Sequence, residues 1–337
     1  MTKPYIDLAS DFSKQKLESL SSSLETAAQL IENKACVYAT GSYGRLEAGP
    51  ESDLDLFIVS VTGDKMEEGD EEYPRLLSGI EEIKLQYHLI QCVEDNGLPE
   101  FDGDGKYLVC HTFHGFVEYL GSREDDAKNT LTGRLLLLLE SRPLLGHQIY
   151  EDLVAHVVGH YFRDFADNRG EFIPAFLFND ILRMWRTFCV NYEYNRKVGS
   201  SGAKIKNLKL KYSRMLTCYS ALLILLHVHS MSGTVTPDDV KQMISKTPIE
   251  RLKLVRDERS KAGDKKVESA LDRALSEYSS FLEFTHQGKT EVLSQYESNS
   301  EKWRNNSYQF GALMEEAMSG VGRSEEQSSP LFRLVLI

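Results

Sequence analysis

The sequence predicts an α+β chain: a small mixed β-sheet flanked by helices near the N-terminus, followed by an all-helical domain. Short apolar runs rich in β-branched and aromatic residues, "ACVYAT" (Ala35–Thr40), "DLFIVSV" (Asp55–Val61) and "KYLVC" (Lys106–Cys110), are confined to the first third of the chain. From Ser122 onward apolar residues recur at helical spacing. Ser122 reads as an N-cap, with Asp125 and Asp126 in a first turn where carboxylates suit the helix dipole. The expected division is 1–121 for the mixed core and 122–337 for the helical domain.

The elements follow in order. Phe12, Leu17, Leu20, Leu24, Ala27, Leu30 and Ile31 repeat with helical period, so an amphipathic helix opens the chain between Ser10 and Asn33. The strand Ala35–Thr40 comes next, then a glycine-bearing turn and a buried strand from Asp55. After the acidic loop "TGDKMEEGDEEYP" a helix is expected over 75–93, and "GLPEFDGDG" leads into the third strand. Helices are then expected over 147–165, 172–195, 204–230, 236–258 and 265–320, the last broken near "HQGKT". "KVGSSGAK" (Lys197–Lys204) reads as a flexible link. Trp185, Phe188 and Tyr192 fall at helical spacing and read as a core stripe.

Composition narrows the function. With 41% hydrophobic and 27% charged residues, the 337-residue chain has the make-up of an ordinary globular protein. Lys+Arg of 39 against Asp+Glu of 51 gives a net charge of −12, which disfavours charge-driven adhesion to long duplex DNA or acidic membranes. Phosphate binding would have to be local. The unbroken apolar runs, Leu135–Leu139 and Ser220–Ser230, fall short of the ~20 residues of a membrane helix, so no membrane insertion is expected. Cys36, Cys92, Cys110, Cys189 and Cys218 are scattered and odd in number, which fits reduced thiols and a cytoplasmic location.

The chemistry concentrates in "GSYGRLEAGPESDLDLF" (Gly41–Phe57). Asp53 and Asp55 alternate on a strand, so both carboxylates point to one face about 7 Å apart. They repel unless a cation lies between them, and hard cations such as Mg²⁺ take such oxygen ligands while leaving positions for phosphate. Gly41 and Ser42 end the preceding strand, where a tight turn frees backbone N–H groups and a hydroxyl for a triphosphate. Arg45 is near enough in sequence to add positive charge. "HVVGH" sets His156 and His160 one helical turn apart but lacks the glutamate of a zinc protease. No GxSxG elbow, Walker-type loop or GxGxxG fingerprint is present.

The pattern "GS", ten residues, "DLDLF" resembles the signature of the polymerase β superfamily of nucleotidyltransferases. "GSYGRLEAGPESDLDLFIV" is most similar to the catalytic domain of bacterial protein uridylyltransferases and related stand-alone nucleotidyltransferase-like proteins. The resemblance covers about the first 150 residues. It implies a nucleotidyltransferase core and in-line attack of an acceptor hydroxyl on the α-phosphate of a nucleoside triphosphate, ATP included, with pyrophosphate leaving. Asp53 and Asp55 would bind Mg²⁺ or Mn²⁺, and Gly41 and Ser42 the β- and γ-phosphates. A third carboxylate is implied: Asp104 ranks first, Asp102 second, and Glu118 is the remaining candidate. Family members place a lysine and a serine or tyrosine of the helical domain on the triphosphate, which points to Lys211, Tyr212 and Ser213 in the basic segment "KIKNLKLKYSRML".

Stand-alone members of this size resemble proteins of bacterial antiphage defence and toxin–antitoxin modules. The implied acceptor is a protein, a nucleotide or an RNA or DNA end. Self-modification would use Ser319, Ser324, Ser328 or Ser329, and a partner protein or homo-oligomer is left open. The helical domain is expected to complete the nucleotide and acceptor cleft. The alternative is a catalytically decayed nucleotide-binding module for regulation or interaction, whose apolar tail "PLFRLVLI" is either a docking strand or a packed end.

Overall fold

The computed structural model describes residues 3–63, 74–101, 105, 108–196, 203–323 and 329–336. The chain divides into two compact units, Asp7–His160 and, jointly, Met1–Ile6 with Tyr161–Ile337.

In the first unit, helices α1 (Tyr5–Ser23) and α2 (Glu25–Leu30) lead into strand β1 (Ala35–Thr40) and a one-turn helix, α3 (Gly41–Gly44). Strand β2 (Asp55–Ser60), helix α4 (Gly79–Asp95) and strand β3 (Cys110–Thr112) follow. Then come α5 (Glu124–Ala127), α6 (Thr130–Leu139), strand β4 (Arg142–Leu145) and α7 (His147–Tyr161). The sheet order is β3-β2-β1-β4, with β1 antiparallel to both neighbours and β2 parallel to β3. The mixed sheet predicted from the sequence is therefore present.

Strand β1 is buried along its whole length because both faces of the sheet are covered. On one face Val37, Ala39, Leu56 and Ile58 pack with Leu20, Leu24, Ala27, Leu85 and Leu89 from α1, α2 and α4. Ser78 caps α4 with a capping box closed by Glu81, which places the helix start four residues later than the apolar pattern suggested. On the opposite face Tyr38 stacks on Phe57 at 5.4 Å, and Tyr150 meets Tyr38 edge-on at 5.7 Å. Gly133 of α6 faces the Phe57 ring, with its Cβ position at ordinary contact distance, 3.5 Å, from Phe57.

The sheet explains why the first unit runs past the expected division at 121/122. Residues 142–145 pair with Val37, Tyr38 and Ala39, so the segment from 122 to 160 belongs with the sheet. Pro143 hid this strand from the sequence reading, and it is tolerated because β4 is an edge. Asp125 also differs from its expected role at an exposed helix start. It is buried and takes two hydrogen bonds from Arg134, at 3.0 and 2.7 Å, and one from Thr130 at 2.6 Å. Burial works against its charge, and those hydrogen bonds outweigh it, leaving the carboxyl below its ordinary pKa.

The second unit is helical among its described residues. Helix α8 (Ala175–Arg196) precedes one continuous run made of α9 (Ala203–Lys209), a π-turn (Leu210–Arg214) and α10 (Met215–Ser232). This run, Ala203–Ser232, is long and apolar enough to cross a membrane, and 61% of its apolar window is buried within the protein. Charged residues at 204, 206, 209, 211 and 214 interrupt its apolar pattern in the sequence. The helix expected over 236–258 is two, α11 (Pro237–Ser245) and α12 (Pro248–Lys261), each opened by a threonine capping box and a proline. Helices α13 (Lys265–Thr285), α14 (Lys289–Ser298) and α15 (Ser300–Gly322) realise the break near "HQGKT" and add a second at Asn299. The tail forms α16 (Pro330–Leu336), with Leu331 and Phe332 buried, so it is a packed end and not a strand.

Candidate active site

The site starts at the end of β1. Thr40 is extended, Gly41 turns left-handed at φ +63°, and "GSYG" winds one helical turn. A side chain at Gly41 is strained by its φ, and a Cβ there would stand 2.6 Å from Asp55 Oδ2, so that carboxylate would have to turn away. That contact follows from register, since Thr40 pairs with Asp55 across the β1–β2 ladder. The first helical backbone bond of the turn is Arg45 N–H to Gly41 O at 3.0 Å, so the amides of Ser42, Tyr43 and Gly44 lie ahead of the ladder at its positive end.

Asp53 and Asp55 are both exposed, although Leu54 between them is buried. Asp53 lies just before β2, behind a turn that Ser52 clamps by accepting the Gly49 N–H on its hydroxyl at 2.9 Å. Tyr43, buried in the one-turn helix, feels Asp53: burial pushes its phenol up to about 12, and the Asp53 charge adds to the rise. The structure thus brings Gly41 against Asp55 and Tyr43 into the field of Asp53.

Arg45 departs from its expected role on phosphate. It is buried and donates to Glu47 Oε2 and Glu140 Oε2, each at 2.8 Å. The segment from Tyr43 to Gly49 is buried throughout, not a charged surface loop. Ser13 of α1 holds it from another side, accepting the Ala48 N–H at 2.8 Å while donating to Ala9 O. Gly44 is also required, because a Cβ there would stand 2.0 Å from Glu140 O. Leu46 adopts φ +55°, a strained conformation for a leucine that this packing enforces. These anchors were not foreseen; the signal for them was a loop with one arginine and one glutamate two residues apart.

The third carboxylate is divided between regions. Asp102 and Asp104 lie outside the described residues. Glu118 is exposed after the short 3₁₀ turn His114–Phe116, where its charge acts on Lys128. Among the described residues no group of three or more His, Cys, Asp or Glu side chains is arranged to hold a metal ion. The donor chemistry of Asp53 and Asp55 nevertheless fits a hard divalent cation: two exposed carboxylates beside the positive end of a helical turn. The His156 and His160 rings lie 4.7 Å apart and are tilted by 59°.

Lys211, Tyr212 and Ser213 belong to the helical unit, in its π-turn. Tyr212 is fully buried, stacked on Phe281 at 4.4 Å, and burial raises its pKa. Ser213 is buried and accepts a hydrogen bond from Tyr278 at 3.1 Å. Both are core contacts, so their expected place on a triphosphate is not realised. Lys211 reaches outward, its ammonium 3.9 Å from the Tyr308 ring centre. Of the serines expected as self-acceptors, Ser319 lies in α15 and Ser329 is 3.3 Å from His229 Nδ1, while Ser324 and Ser328 lie outside the described residues.

A glycine–serine turn thus stands beside two exposed carboxylates at the start of β2, on the small mixed sheet of an α+β fold. Residues 20–96 match the family model of the nucleotidyltransferase domain, a span that runs from α1 through α4 and contains Gly41, Ser42, Asp53 and Asp55. No curated protein and no solved structure matches the chain.

Proposed function

We propose that the chain is a metal-dependent nucleotidyltransferase that moves a nucleoside monophosphate from a nucleoside triphosphate to an acceptor hydroxyl, with release of pyrophosphate. The observation that carries the proposal is the approach of Asp55 to Gly41, which sets a carboxylate beside a turn of amides. The amides of Ser42, Tyr43 and Gly44, with the Ser42 hydroxyl, hold the terminal phosphates. Gly41 admits the backbone geometry, and Asp53 and Asp55 hold Mg²⁺ or Mn²⁺ together with a third carboxylate, Asp104 ahead of Asp102. The metal would neutralise phosphate charge and favour ionisation of the acceptor hydroxyl. The acceptor oxygen bonds to the α-phosphorus as the bond to pyrophosphate breaks, and the hydroxyl proton passes to solvent. Five free thiols support a reducing, cytoplasmic setting.

The test is pyrophosphate release and label transfer from each α-labelled nucleoside triphosphate, with Mg²⁺ or Mn²⁺, to the protein, to nucleotides and to RNA. Asp53→Asn and Asp55→Asn should each lower turnover roughly a thousandfold or more, since a catalytic metal supplies several kcal/mol. Both carboxylates are exposed, so folding should be retained. Nucleotide binding with no pyrophosphate released under any condition would overturn transfer and support the regulatory module instead.

A further inference from the structure

The helical unit carries a surface whose charge opposes that of the chain. From Arg186 to Arg214 the sequence holds a single carboxylate, Glu193. The described cations of that stretch, Arg186, Lys204, Lys206, Lys209, Lys211 and Arg214, are exposed or half-buried. In a protein of net charge −12, this is a local concentration of positive charge. Glu297, 3.8 Å from Lys204, is a carboxylate facing it from another element.

Aromatic rings interleave with the cations. Trp185, Phe188 and Tyr192 were expected in the core, but they are half-buried along one side of α8, whose fully buried face is Leu177, Phe178, Ile181 and Met184. Helix α8 and the 203–214 segment run antiparallel along this surface. The Arg214 guanidinium lies 5.1 Å from the Phe188 ring centre, and Asn207 donates to the Tyr192 hydroxyl at 3.0 Å. On the α15 side the Lys211 ammonium covers Tyr308. Tyr308 keeps 63% of its surface in solvent.

The π-turn contributes to this layout. It turns Tyr212 and Ser213 inward to Phe281 and Tyr278, while Lys211 and Arg214 on either side of them reach outward to α15 and α8. One turn thereby spreads two cations over two neighbouring helices.

From this surface we infer that the helical unit binds a single-stranded polynucleotide. Cations that track a phosphate backbone, combined with rings on which bases stack, are what sequence-tolerant single-strand binding requires. A patch meant only for an acidic protein would gain nothing from an exposed tyrosine held beside its lysine. A long duplex would be repelled by the acidic remainder of the chain, whereas a short flexible strand stays on the patch. Binding to this surface stands apart from transfer, because it involves residues of the helical unit alone and needs no nucleoside triphosphate.

The experiment is fluorescence anisotropy of the full chain with labelled twelve-nucleotide RNA and DNA single strands, a duplex of the same sequence, and heparin, without nucleotide or metal. The expected result is binding of the single strands over the duplex, weakening with salt at a slope of about −0.7 per phosphate contacted. The RNA and DNA arms distinguish which polymer is preferred. The double variant Lys204→Glu, Lys206→Glu should weaken binding at least tenfold, and Tyr308→Ala about tenfold, the loss expected for one stacked base. Circular dichroism checks that each variant is folded. Failure to bind either single strand at 50 mM salt overturns the inference. So does binding of heparin as tightly as RNA with no effect of Tyr308→Ala, which would leave a simple cation patch. Neither outcome bears on pyrophosphate release, so transfer and strand binding fail independently.

Discussion

Arg45 Nη1 donates to Glu140 Oε2 at 2.8 Å across 95 residues of sequence, with both side chains buried. The bond fastens the turn that follows Gly41 to the end of α6, and Glu47 takes the same guanidinium at 2.8 Å. Removing one member of such a cluster leaves buried charge uncompensated. Arg45→Ala should therefore lower stability by about 3–5 kcal/mol. Arg45→Lys should recover only part of this, because an ammonium is a point charge without the planar fork that serves two carboxylates. Urea denaturation midpoints check both variants.

Gly41→Ala tests the approach of Asp55 directly. Its left-handed backbone alone should cost about 1–2 kcal/mol, and the new methyl would meet the Asp55 carboxylate. The variant should stay folded by circular dichroism yet lose most of its nucleotide affinity in calorimetry. Unchanged affinity would show that the turn and the carboxylate do not act together.

Tyr43 gives a pH signature. Its folded pKa is pushed up to about 12, above the ordinary tyrosine value, so the protonated form is favoured by folding. The resulting stability is fully present below pH 10 and is lost as pH rises from about 10 through about 12, where the unfolded chain ionises first. Other buried tyrosines share that window, so the readout is a difference: Tyr43→Phe should show a shallower alkaline loss of urea stability than the parent protein.

The Asp125–Arg134 pair gives the complementary acid-side test. The Asp125 carboxyl is held below its ordinary pKa, so its contribution is present above the unfolded value and lost as pH falls through the folded one. Asp125→Ala should cost about 3–5 kcal/mol with Arg134 left buried, and should flatten the fall in thermal midpoint below pH 4.

Local patterning made β1, β2 and α4 legible, because alternation, apolar runs and the turn between the strands act over a few residues. Of the two aspartates read as alternating on one strand, Asp55 opens β2 and Asp53 lies just before it. Arg45 was misjudged because the side chain that buries it, Glu140, lies in another element, and sequence proximity to Gly41 says nothing of that. Tyr212 and Ser213 failed for a related reason: a helical period marks a face but not its surroundings, and Phe281 and Tyr278 supply those from α13. The threonine capping boxes at Thr236 and Thr247 were readable as "TPDD" and "TPIE", yet continuous periodicity across them favoured one helix.

Strand β4 has a consequence for the order in which the protein forms. Ala39 pairs with Arg142, and the loop after β1 is fastened by Glu140, so neither tie exists until about a hundred further residues have been synthesised. Contacts so distant in sequence pay their loop-closure cost before they are rewarded. A nascent chain ending anywhere between β2 and β4 would hold its glycine–serine turn and both aspartates without the clamp that sets their geometry. Competence for nucleotide should therefore arrive late and abruptly during translation, when β4 docks, and not gradually as the motif itself emerges from the ribosome.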